Sequence, residues 1–421
     1  MIIRNRTVLT SVGLVAGLAL LAGCSSGQPM AAPSGTSGAG EEPDKTAEST
    51  QAPTEVKGPE PRLVLTYDGG LMTLDAKTFE VLDDTQLKGF NRINPVGDGR
   101  HVMVSAGNEF RLFDAGAWTQ AHGDHSHSYS TDPGMTGASF ETNMPGHVIH
   151  HGMSTTLFGD GDGRIQIFDT ATLSGPAPEP KIVEVDEPHH GAAVQLDNGE
   201  LIHTVGSEES RSGVVVKDSK GRETAKSDAC PGVHGEAAAK GDVIAFGCED
   251  GILYYDHGKF TKVDAPDDYG RIGNQEGTTE SAVILGDYKV DPDAELERPE
   301  RVSLTDTESG ELKLVDLGSS YSFRSLGRGP EGEALVLGTD GQLHVIDEKS
   351  GKTESTIPVI DKWEEPVDWQ EARPSLYVQD SIAYVTDPTK SEIHAVDLES
   401  GEVMTSKELP HPSDEITGIT G

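Results

Sequence analysis

The sequence predicts an all-β fold, a single β-propeller of eight blades. Two observations carry this prediction. The composition is low in apolar residues, at 34% hydrophobic, and rich in glycine, with 50 of 421 residues, which suits many short strands joined by tight turns. In addition, a β-rich run that ends in aspartate recurs along the chain. Seven blades is the alternative, because one degenerate copy of the run could be miscounted.

Each copy of the repeat is a short strand pattern that ends in Asp and runs into a turn. The eight copies are Leu71–Asp75, Phe110–Asp114, Ile165–Asp169, Val214–Asp218, Ile252–Asp256, Val302–Asp306, Leu343–Asp347 and Ile393–Asp397. Their terminal Asp residues lie 38 to 55 residues apart, a period typical of propeller blades when strands recur without helices. We therefore expect residues 61–421 to form the propeller. Residues 415–420 are expected to add the innermost strand of the first blade and close the ring.

Residues 1–24 have the layout of a bacterial lipoprotein signal peptide. Two arginines precede an apolar run from Val8 to Ala22 that is too short for a comfortable membrane span. The run is followed by Gly and Cys, and Leu-Ala-Gly-Cys resembles the lipobox, whose cysteine, here Cys24, is lipidated. These features predict an exported, extracytoplasmic protein anchored to the cell membrane by lipid.

The segment 25–60 is rich in Ser, Gly, Ala, Pro, Thr and Glu and contains no aromatic residue. Such a segment cannot bury enough apolar surface to offset its conformational entropy. We expect a disordered tether that holds the folded body away from the lipid surface.

The charge balance restricts the partners. The chain has 71 acidic and 33 basic residues, a formal net charge of −38. A surface of this kind repels phosphate backbones, so nucleic acid is not an expected partner, whereas metal cations are attracted.

Histidine-rich segments hold the candidate metal ligands, which are His122, Asp124, His125, His127, His189, His190, His234 and Glu236. Neutral imidazole is the commonest protein ligand of zinc, and three such nitrogens with one carboxylate make a tetrahedral set. Residues from separate blades can meet because inner strands converge on the central channel. Which histidine of each group binds stays open, and copper or nickel would accept the same ligands. His147, His150 and His151 lie in the same region, whereas His203 is expected to be structural.

Cys230 and Cys248 are the two cysteines that follow Cys24. An even pair in an exported chain indicates a disulfide, with a thiolate metal site as the alternative. A bridge between them would pin the loop that holds His234 and Glu236.

Familiar catalytic motifs are missing from the sequence, which has no Gly-x-Ser-x-Gly, no phosphate loop and no His-Glu-x-x-His. The Asp-Gly-Asp-Gly run at 160–163 is similar to part of a calcium loop, but the remaining acidic ligands do not follow, so a hairpin turn is expected. A protein that is not an enzyme is the prediction.

Four phrases in the order in which they occur resemble the AztD family of secreted zinc metallochaperones. They are His-Gly-Asp-His-x-His at 122–127, Pro-His-His-Gly at 188–191, Cys-Pro-Gly-Val-His-Gly-Glu-Ala at 230–237 and Phe-Gly-Cys-Glu-Asp-Gly at 246–251. The resemblance implies a β-propeller that hands zinc to the solute-binding protein of a zinc ABC importer. Members can carry a His-rich N-terminal stretch, whereas residues 25–60 contain no His.

The resemblance also implies roles for individual residues. His125 or His127, His189 or His190, and His234 would bind zinc, with Asp124 or Glu236 as the oxygen ligand or as its hydrogen-bonding partner. Cys230 and Cys248 would form the disulfide.

These observations together predict a monomeric, zinc-binding metallochaperone. Two alternatives come from other classes of protein. A metal-dependent propeller hydrolase or lactonase would keep an open zinc position for water and would use Glu236 as its general base. A scaffold that binds no metal would carry its histidines incidentally.

Overall fold

The computed structural model describes residues 52–421, whose regular secondary structure is almost entirely β-strand; the signal peptide, Cys24 and most of the predicted tether lie outside this part. Within it, the one helix is a 3₁₀ helix at Thr170–Ser174. The described strands form nine sheets, eight of which have four or five strands. None of the described helices is long and apolar enough to cross a membrane. The prediction of an all-β fold is confirmed.

The eight larger sheets share one plan, a four-stranded antiparallel meander. In spatial order, sheet one contains β36 (Ile416–Ile419), β2 (Arg62–Tyr67), β3 (Gly70–Asp75) and β4 (Val81–Gln86), and sheet two contains β5 (Arg92–Pro95), β6 (His101–Ala106), β7 (Glu109–Asp114) and β10 (Gly134–Glu141). Sheet three contains β11 (Pro145–His151), β12 (Ser154–Gly159), β13 (Arg164–Asp169) and β14 (Lys181–Glu184), and sheet four contains β15 (Ala193–Gln195), β16 (Leu201–Gly206), β17 (Arg211–Lys217) and β18 (Glu223–Ser227).

The second half of the chain continues the series. Sheet five contains β19 (His234–Ala239), β20 (Val243–Cys248), β21 (Asp250–Asp256) and β22 (Lys259–Asp264), with β23 (Gly270–Arg271) beside β21. Sheet six contains β24 (Gln275–Glu276), β25 (Val283–Asp287), β26 (Arg301–Asp306) and β27 (Glu311–Asp316), and sheet seven contains β28 (Leu326–Arg328), β29 (Ala334–Leu337), β30 (Gln342–Ile346) and β31 (Thr353–Pro358). Sheet eight contains β32 (Leu376–Gln379), β33 (Ile382–Asp387), β34 (Glu392–Asp397) and β35 (Glu402–Glu408).

The Asp-ended repeat corresponds to the third strand of each sheet. Its Asp ends the strand because the carboxylate caps the following turn. Asp75, Asp306 and Asp397 each accept hydrogen bonds from the backbone N–H groups two and three residues further on. The repeat was visible in the sequence because this capping is local.

The hydrophobic core is divided among the spaces between consecutive sheets. Val64 of the first sheet packs with Val104 of the second, and Leu65 packs with Ile393 of the eighth. The eighth sheet also contacts the first through β32 and β36. The series of sheets therefore returns to its start, as in a propeller. As predicted, the C-terminal residues supply the first strand of sheet one, where Ile416 pairs with Leu65.

A hairpin interrupts the second sheet between β7 and β10. It consists of β8 (Ala117–His122) and β9 (His125–Ser130), and β1 (Thr54–Val56) completes a three-stranded sheet by pairing with β9. Residues 25–60 were predicted to be a disordered tether, but within the described end of this segment Thr54–Val56 is a strand. The free edge of β9 offers backbone partners to this β-branched stretch, an interaction that composition alone does not reveal.

The meander fixes which residues can meet. The first strand begins, and the second strand turns into the third, at one end of each sheet; the third strand turns into the fourth at the other end. Residues at the starts of different first strands therefore gather at one end of the sheets. The β8–β9 hairpin follows a third strand, so it projects from the opposite end.

Candidate metal centre

Three histidines from consecutive sheets meet at the starts of the first strands, and we call them the central cluster: His147, His190 and His234. His147 lies on β11, His190 three residues before β15, and His234 is the first residue of β19. The ring centroids of His147 and His190 are 4.9 Å apart, and those of His190 and His234 are 5.1 Å apart. The ring centroids of His147 and His234 are 6.0 Å apart.

Two β-bulges direct these side chains. The register of β11 against β12 shifts between Pro145 and Val148, and that of β19 against β20 shifts between His234 and Ala237. Each shift adds one residue to the first strand, which re-aims the neighbouring side chain. Gly235 in the second bulge has φ +64°, a conformation that favours glycine.

Each ring of the cluster is oriented by a hydrogen bond from its Nδ1–H. His147 donates to the carbonyl of Gly191 at 2.8 Å, His190 donates to Asp160 Oδ2 at 2.6 Å, and His234 donates to the carbonyl of Gly273. With Nδ1 protonated, Nε2 carries the lone pair that a metal needs. This is the usual way in which proteins fix the tautomer of zinc-binding histidines.

The spacing of His190 and His234 fits two ligands of one zinc ion. The Nε2 atoms of His190 and His234 are 3.2 Å apart. Two nitrogens that lie about 2.0–2.1 Å from a tetrahedral zinc ion are separated by about 3.3 Å. The chemistry of the donor set, three imidazoles with one carboxylate behind His190, is that of a zinc site.

Burial keeps two rings of the cluster neutral. Desolvation, followed by the charge of His190, lowers the pKa of His147 to about 4. Desolvation, with the charges of His147 and His190, also holds the pKa of His234 well below its usual range. Both imidazoles are therefore neutral at pH 7, the form that binds metal ions.

The cluster is reachable from outside. His190 and His234 line an open cavity of about 590 Å³, and the side chain of His190 is 40% exposed. The charged groups of the cavity are Glu208, Glu209, Arg211, Glu249 and Arg271. An ion held by the cluster would thus meet external ligands without unfolding of the sheets.

The structure distinguishes the adjacent pair His189–His190. His189 is buried, its Nδ1–H donates to the carbonyl of Glu187 at 2.9 Å, and its Nε2 accepts from Thr204 Oγ1 at 2.9 Å. Its ring packs on Phe158. Both nitrogens of His189 are satisfied by the protein, whereas His190 belongs to the central cluster.

The predicted ligand set divides between two places in the fold. His122, Asp124, His125 and His127 lie on the β8–β9 hairpin, which projects from the end of the sheets opposite to the central cluster. The side chain of Asp124 is fully exposed in the hairpin turn. The hairpin residues and His190 therefore do not form one site.

Glu236 follows His234 on β19, but the described contacts include no hydrogen bond between it and the central cluster. Burial, and then the charge of Glu276, raises the pKa of Glu236 to about 8. Desolvation by the surrounding sheets likewise raises the pKa of Glu276, which keeps some surface exposure, to about 7. In the metal-free protein Glu236 therefore favours its protonated form at neutral pH.

His147 and Asp160 are the members of the site that were not singled out from the sequence. Asp160 starts the turn between β12 and β13, which the sequence predicted. Its carboxylate also accepts a hydrogen bond from His190 Nδ1–H. The sequence does contain one feature that the three histidines of the central cluster share. Each of them is next to a glycine, which is Gly146, Gly191 or Gly235.

The predicted disulfide is present and lies beside the site. Cys230 and Cys248 are bonded, with Cα atoms 4.9 Å apart, so their sulfurs are not available to a metal. Cys248 ends β20, whose neighbour Gly247 pairs with His234. The bridge thereby holds the loop that leads into His234.

Gly146→Ala is expected to weaken zinc binding about tenfold, because the outer partner of a zinc-binding histidine is disturbed. A Cβ at this position would lie 2.2 Å from Asp160 Oδ1 and would push the carboxylate away from His190. Competition with a chelator of known affinity measures the change. Gly58→Ala is the control, since a Cβ there meets nothing within 4 Å. Equal affinities of the two variants would contradict the role of Asp160.

No family model matches the chain. It is 29% identical to the zinc chaperone AztD of Citrobacter koseri over 341 residues, which cover 76% of this chain and 78% of that protein. The fold matches the crystal structure of Citrobacter koseri AztD with a TM-score of 0.76 at 24% identity, covering 86% of this chain and 99% of that one. The structure of apo AztD from the same organism matches with a TM-score of 0.74 at 23% identity, covering 86% of this chain and 98% of that one. The resemblance indicated by the sequence motifs is confirmed.

The fold alone does not assign a function. Dihydro-heme d1 dehydrogenase NirN, an enzyme, matches with a TM-score of 0.53 at 12% identity, covering 85% of this chain and 75% of that one. The relative AztD, in contrast, is named for a chaperone activity and not for a catalytic one. This agrees with the prediction of a protein that is not an enzyme.

Proposed function

Starting from its relationship to the AztD family, we propose that this protein is an extracytoplasmic zinc chaperone. It holds zinc at the central cluster and delivers it to the solute-binding protein of a zinc ABC importer. Its eight larger sheets are the blades of one closed propeller, and the lipid on Cys24 anchors the monomer to the cell membrane.

The observation that carries the proposal is the orientation of the central cluster. Three imidazoles from three sheets have their Nδ1–H groups fixed by two carbonyls and Asp160, which leaves each Nε2 free for a metal. The three rings also converge from separate sheets, whereas the adjacent His189 uses both of its nitrogens within the protein. The cluster therefore supports metal binding in preference to an incidental scaffold.

Delivery follows from the open side of the site. A zinc ion held by three imidazoles has a fourth position for a ligand of the acceptor. Because His190 is exposed to the cavity, the acceptor's ligands replace those of the cluster one at a time, and free zinc is not released. The net charge of −38 steers cations toward the protein or docks a basic patch of the acceptor.

The hydrolase alternative finds no support in the site. That mechanism needs Glu236 as a general base within reach of a metal-bound water, and the described contacts include no hydrogen bond between Glu236 and the central cluster.

Zinc transfer tests the proposal. Protein loaded with one zinc ion is mixed with the metal-free solute-binding protein in the presence of a chelator that captures free zinc. We expect zinc to move to the acceptor faster than it reaches the chelator. A His234→Ala variant, which lacks one ligand, is expected to deliver none. Transfer that passes entirely through the chelator, or that is unchanged in the variant, would overturn the proposal.

A further inference from the structure

The backbone at Gly273 is part of the central site, because His234 donates its Nδ1–H to the carbonyl of Gly273. Gly273 lies between β23 and β24, in the segment that links sheet five to sheet six. Linking segments are more mobile than the strands that they connect. A carbonyl in such a segment therefore needs support of its own if it is to hold a histidine in one orientation.

Asp287, the last residue of β25, gives this support. Its Oδ1 accepts hydrogen bonds from the backbone N–H groups of Gly273 at 2.6 Å and Asn274 at 3.0 Å. Its Oδ2 accepts from Asn274 Nδ2 at 2.9 Å, and its own N–H donates to the carbonyl of Asn274 at 3.0 Å. Hydrogen bonds to an ionised carboxylate are stronger than those between neutral groups, so Asp287 holds this segment firmly.

One peptide group connects Asp287 to His234. The carbonyl of Gly273 and the N–H of Asn274 belong to the same planar trans peptide, in which the two groups point in opposite directions. Because Asp287 holds the N–H, the carbonyl is directed to the other side, where it accepts from His234 Nδ1–H. Consecutive hydrogen bonds of this kind polarise one another, so the carboxylate also makes the carbonyl a better acceptor.

The burial of Asp287 indicates that its carboxylate has a specific task. The residue is 1% exposed, and a buried carboxylate costs free energy unless it is paired or hydrogen-bonded. Its ion-pair partner Lys289 places Nζ 3.7 Å from Oδ2, which is longer than a hydrogen bond. Each hydrogen bond described for the side chain of Asp287 goes to Gly273 or Asn274, so the buried charge serves this segment.

Asp160 provides a comparison within the same site. It follows β12, the second strand of sheet three, as Asp287 ends the second strand of sheet six. Asp160 Oδ1 accepts from the N–H of Gly191 at 3.4 Å, and the carbonyl of Gly191 accepts from His147 Nδ1–H. In both places a carboxylate at the end of a second strand holds the glycine whose carbonyl orients a histidine of the central cluster.

We propose that Asp287 is a positioning residue of the central cluster. Through the peptide between Gly273 and Asn274 it fixes the orientation of His234 and keeps the proton on Nδ1, so that Nε2 faces the metal. This inference rests on the proposed function, since it concerns the same site. It adds a fourth sheet to that site, because the three histidines come from sheets three to five and Asp287 from sheet six.

The tautomer of His234 in the zinc-free protein tests the inference independently of zinc. Nitrogen-15 NMR of protein with labelled histidine distinguishes the two tautomers, and the signal that is missing in His234→Ala identifies the ring. We expect the Nδ1–H form in the wild type and a mixture of both tautomers in Asp287→Ala.

Zinc affinity of the central cluster, measured by chelator competition, is the second readout. Asp287→Ala is expected to bind zinc about tenfold more weakly, the effect of disturbing an outer partner of a zinc-binding histidine. Asp287→Asn keeps an oxygen for the Asn274 N–H but loses the charge, so a smaller loss of about threefold is expected, with a smaller tautomer change.

Asp306→Ala is the matched control. Asp306 ends β26, the next strand of the same sheet, and its carboxylate accepts from the backbone N–H groups of Glu308 and Ser309. It lies at the end of the sheets opposite to the central cluster. Both alanine variants lose a carboxylate that holds backbone, so both are expected to have a lower thermal midpoint without zinc, but only Asp287→Ala changes the tautomer and the zinc affinity.

The outcomes separate this inference from the proposed function. A tautomer and a zinc affinity equal to those of the wild type in folded Asp287→Ala, or in Asp287→Asn if the alanine variant does not fold, would overturn the positioning role. Equal changes in Asp306→Ala would overturn it as well, because the effect would then follow from stability. A wild type that binds no zinc, with the His234 tautomer still altered in the Asp287 variants, would overturn the proposed function and leave the control of His234 by Asp287 standing.

Discussion

His190→Ala is expected to lower the zinc affinity of the central cluster by at least about 100-fold. The free energy of zinc binding at a four-ligand site is roughly 10–16 kcal/mol, so one ligand contributes about 3 kcal/mol. The substitution also removes the hydrogen bond that the carboxylate of Asp160 accepts from His190 Nδ1–H. Chelator competition measures the affinity, and circular dichroism confirms that the sheets are retained.

His189→Ala provides the matched control for His190→Ala, because the two residues are adjacent and only His190 belongs to the cluster. The His189 variant loses a buried ring that packs on Phe158 and removes one of the hydrogen-bond partners of Thr204 Oγ1. It is expected to be less stable by about 2 kcal/mol and to bind zinc with unchanged affinity. The opposite pattern, with affinity lost in the His189 variant and kept in the His190 variant, would show that the central site is wrongly assigned.

The parts of the fold that depend on local sequence were predictable. The Asp at the end of the third strand was recognisable because its carboxylate caps the turn that follows, as at Asp75 and Asp397. Residues 416–419 were placed in the first sheet by their β-rich pattern at the end of a repeat series. The cysteine pair followed from its even number in an exported chain.

The central site depends on features that the sequence does not display. His147 faces His190 because a bulge adds one residue to β11, and a shift of one residue reverses the face on which a side chain lies. Asp160 reaches His190 from a turn in the preceding sheet, 30 residues earlier in the chain. Neither contact is visible in residue spacing alone.

His122, His125 and His127 on the β8–β9 hairpin show which part of the site could and could not be predicted from the sequence. These histidines were recognised as a local group, and their shared face follows from strand alternation. They were combined with His190 and His234 because nothing in their spacing tells at which end of the sheets the hairpin projects. The position of the insertion, after the third strand β7 and before β10, decides that they form a separate group.

Replacement of both Cys230 and Cys248 by Ala is expected to lower the free energy of unfolding by about 3 kcal/mol. The bridge closes a loop with a sequence separation of 18 residues, and a closed loop of this length removes about that much conformational entropy from the unfolded chain. Denaturant titration of the two forms measures the difference. The loss should appear equally in wild-type protein treated with a reductant.

The same variant is expected to bind zinc less tightly at the central cluster, whereas the structure of the β8–β9 hairpin is unaffected. Cys230 lies four residues before His234, and Cys248 follows Gly247, the cross-strand partner of His234. Without the bridge, the loop before His234 gains freedom that zinc binding must then remove, which costs affinity. The hairpin is at the opposite end of the sheets and shares no strand with the bridge. If the affinity of the central cluster stays unchanged while stability falls, the disulfide serves the fold alone and does not position His234.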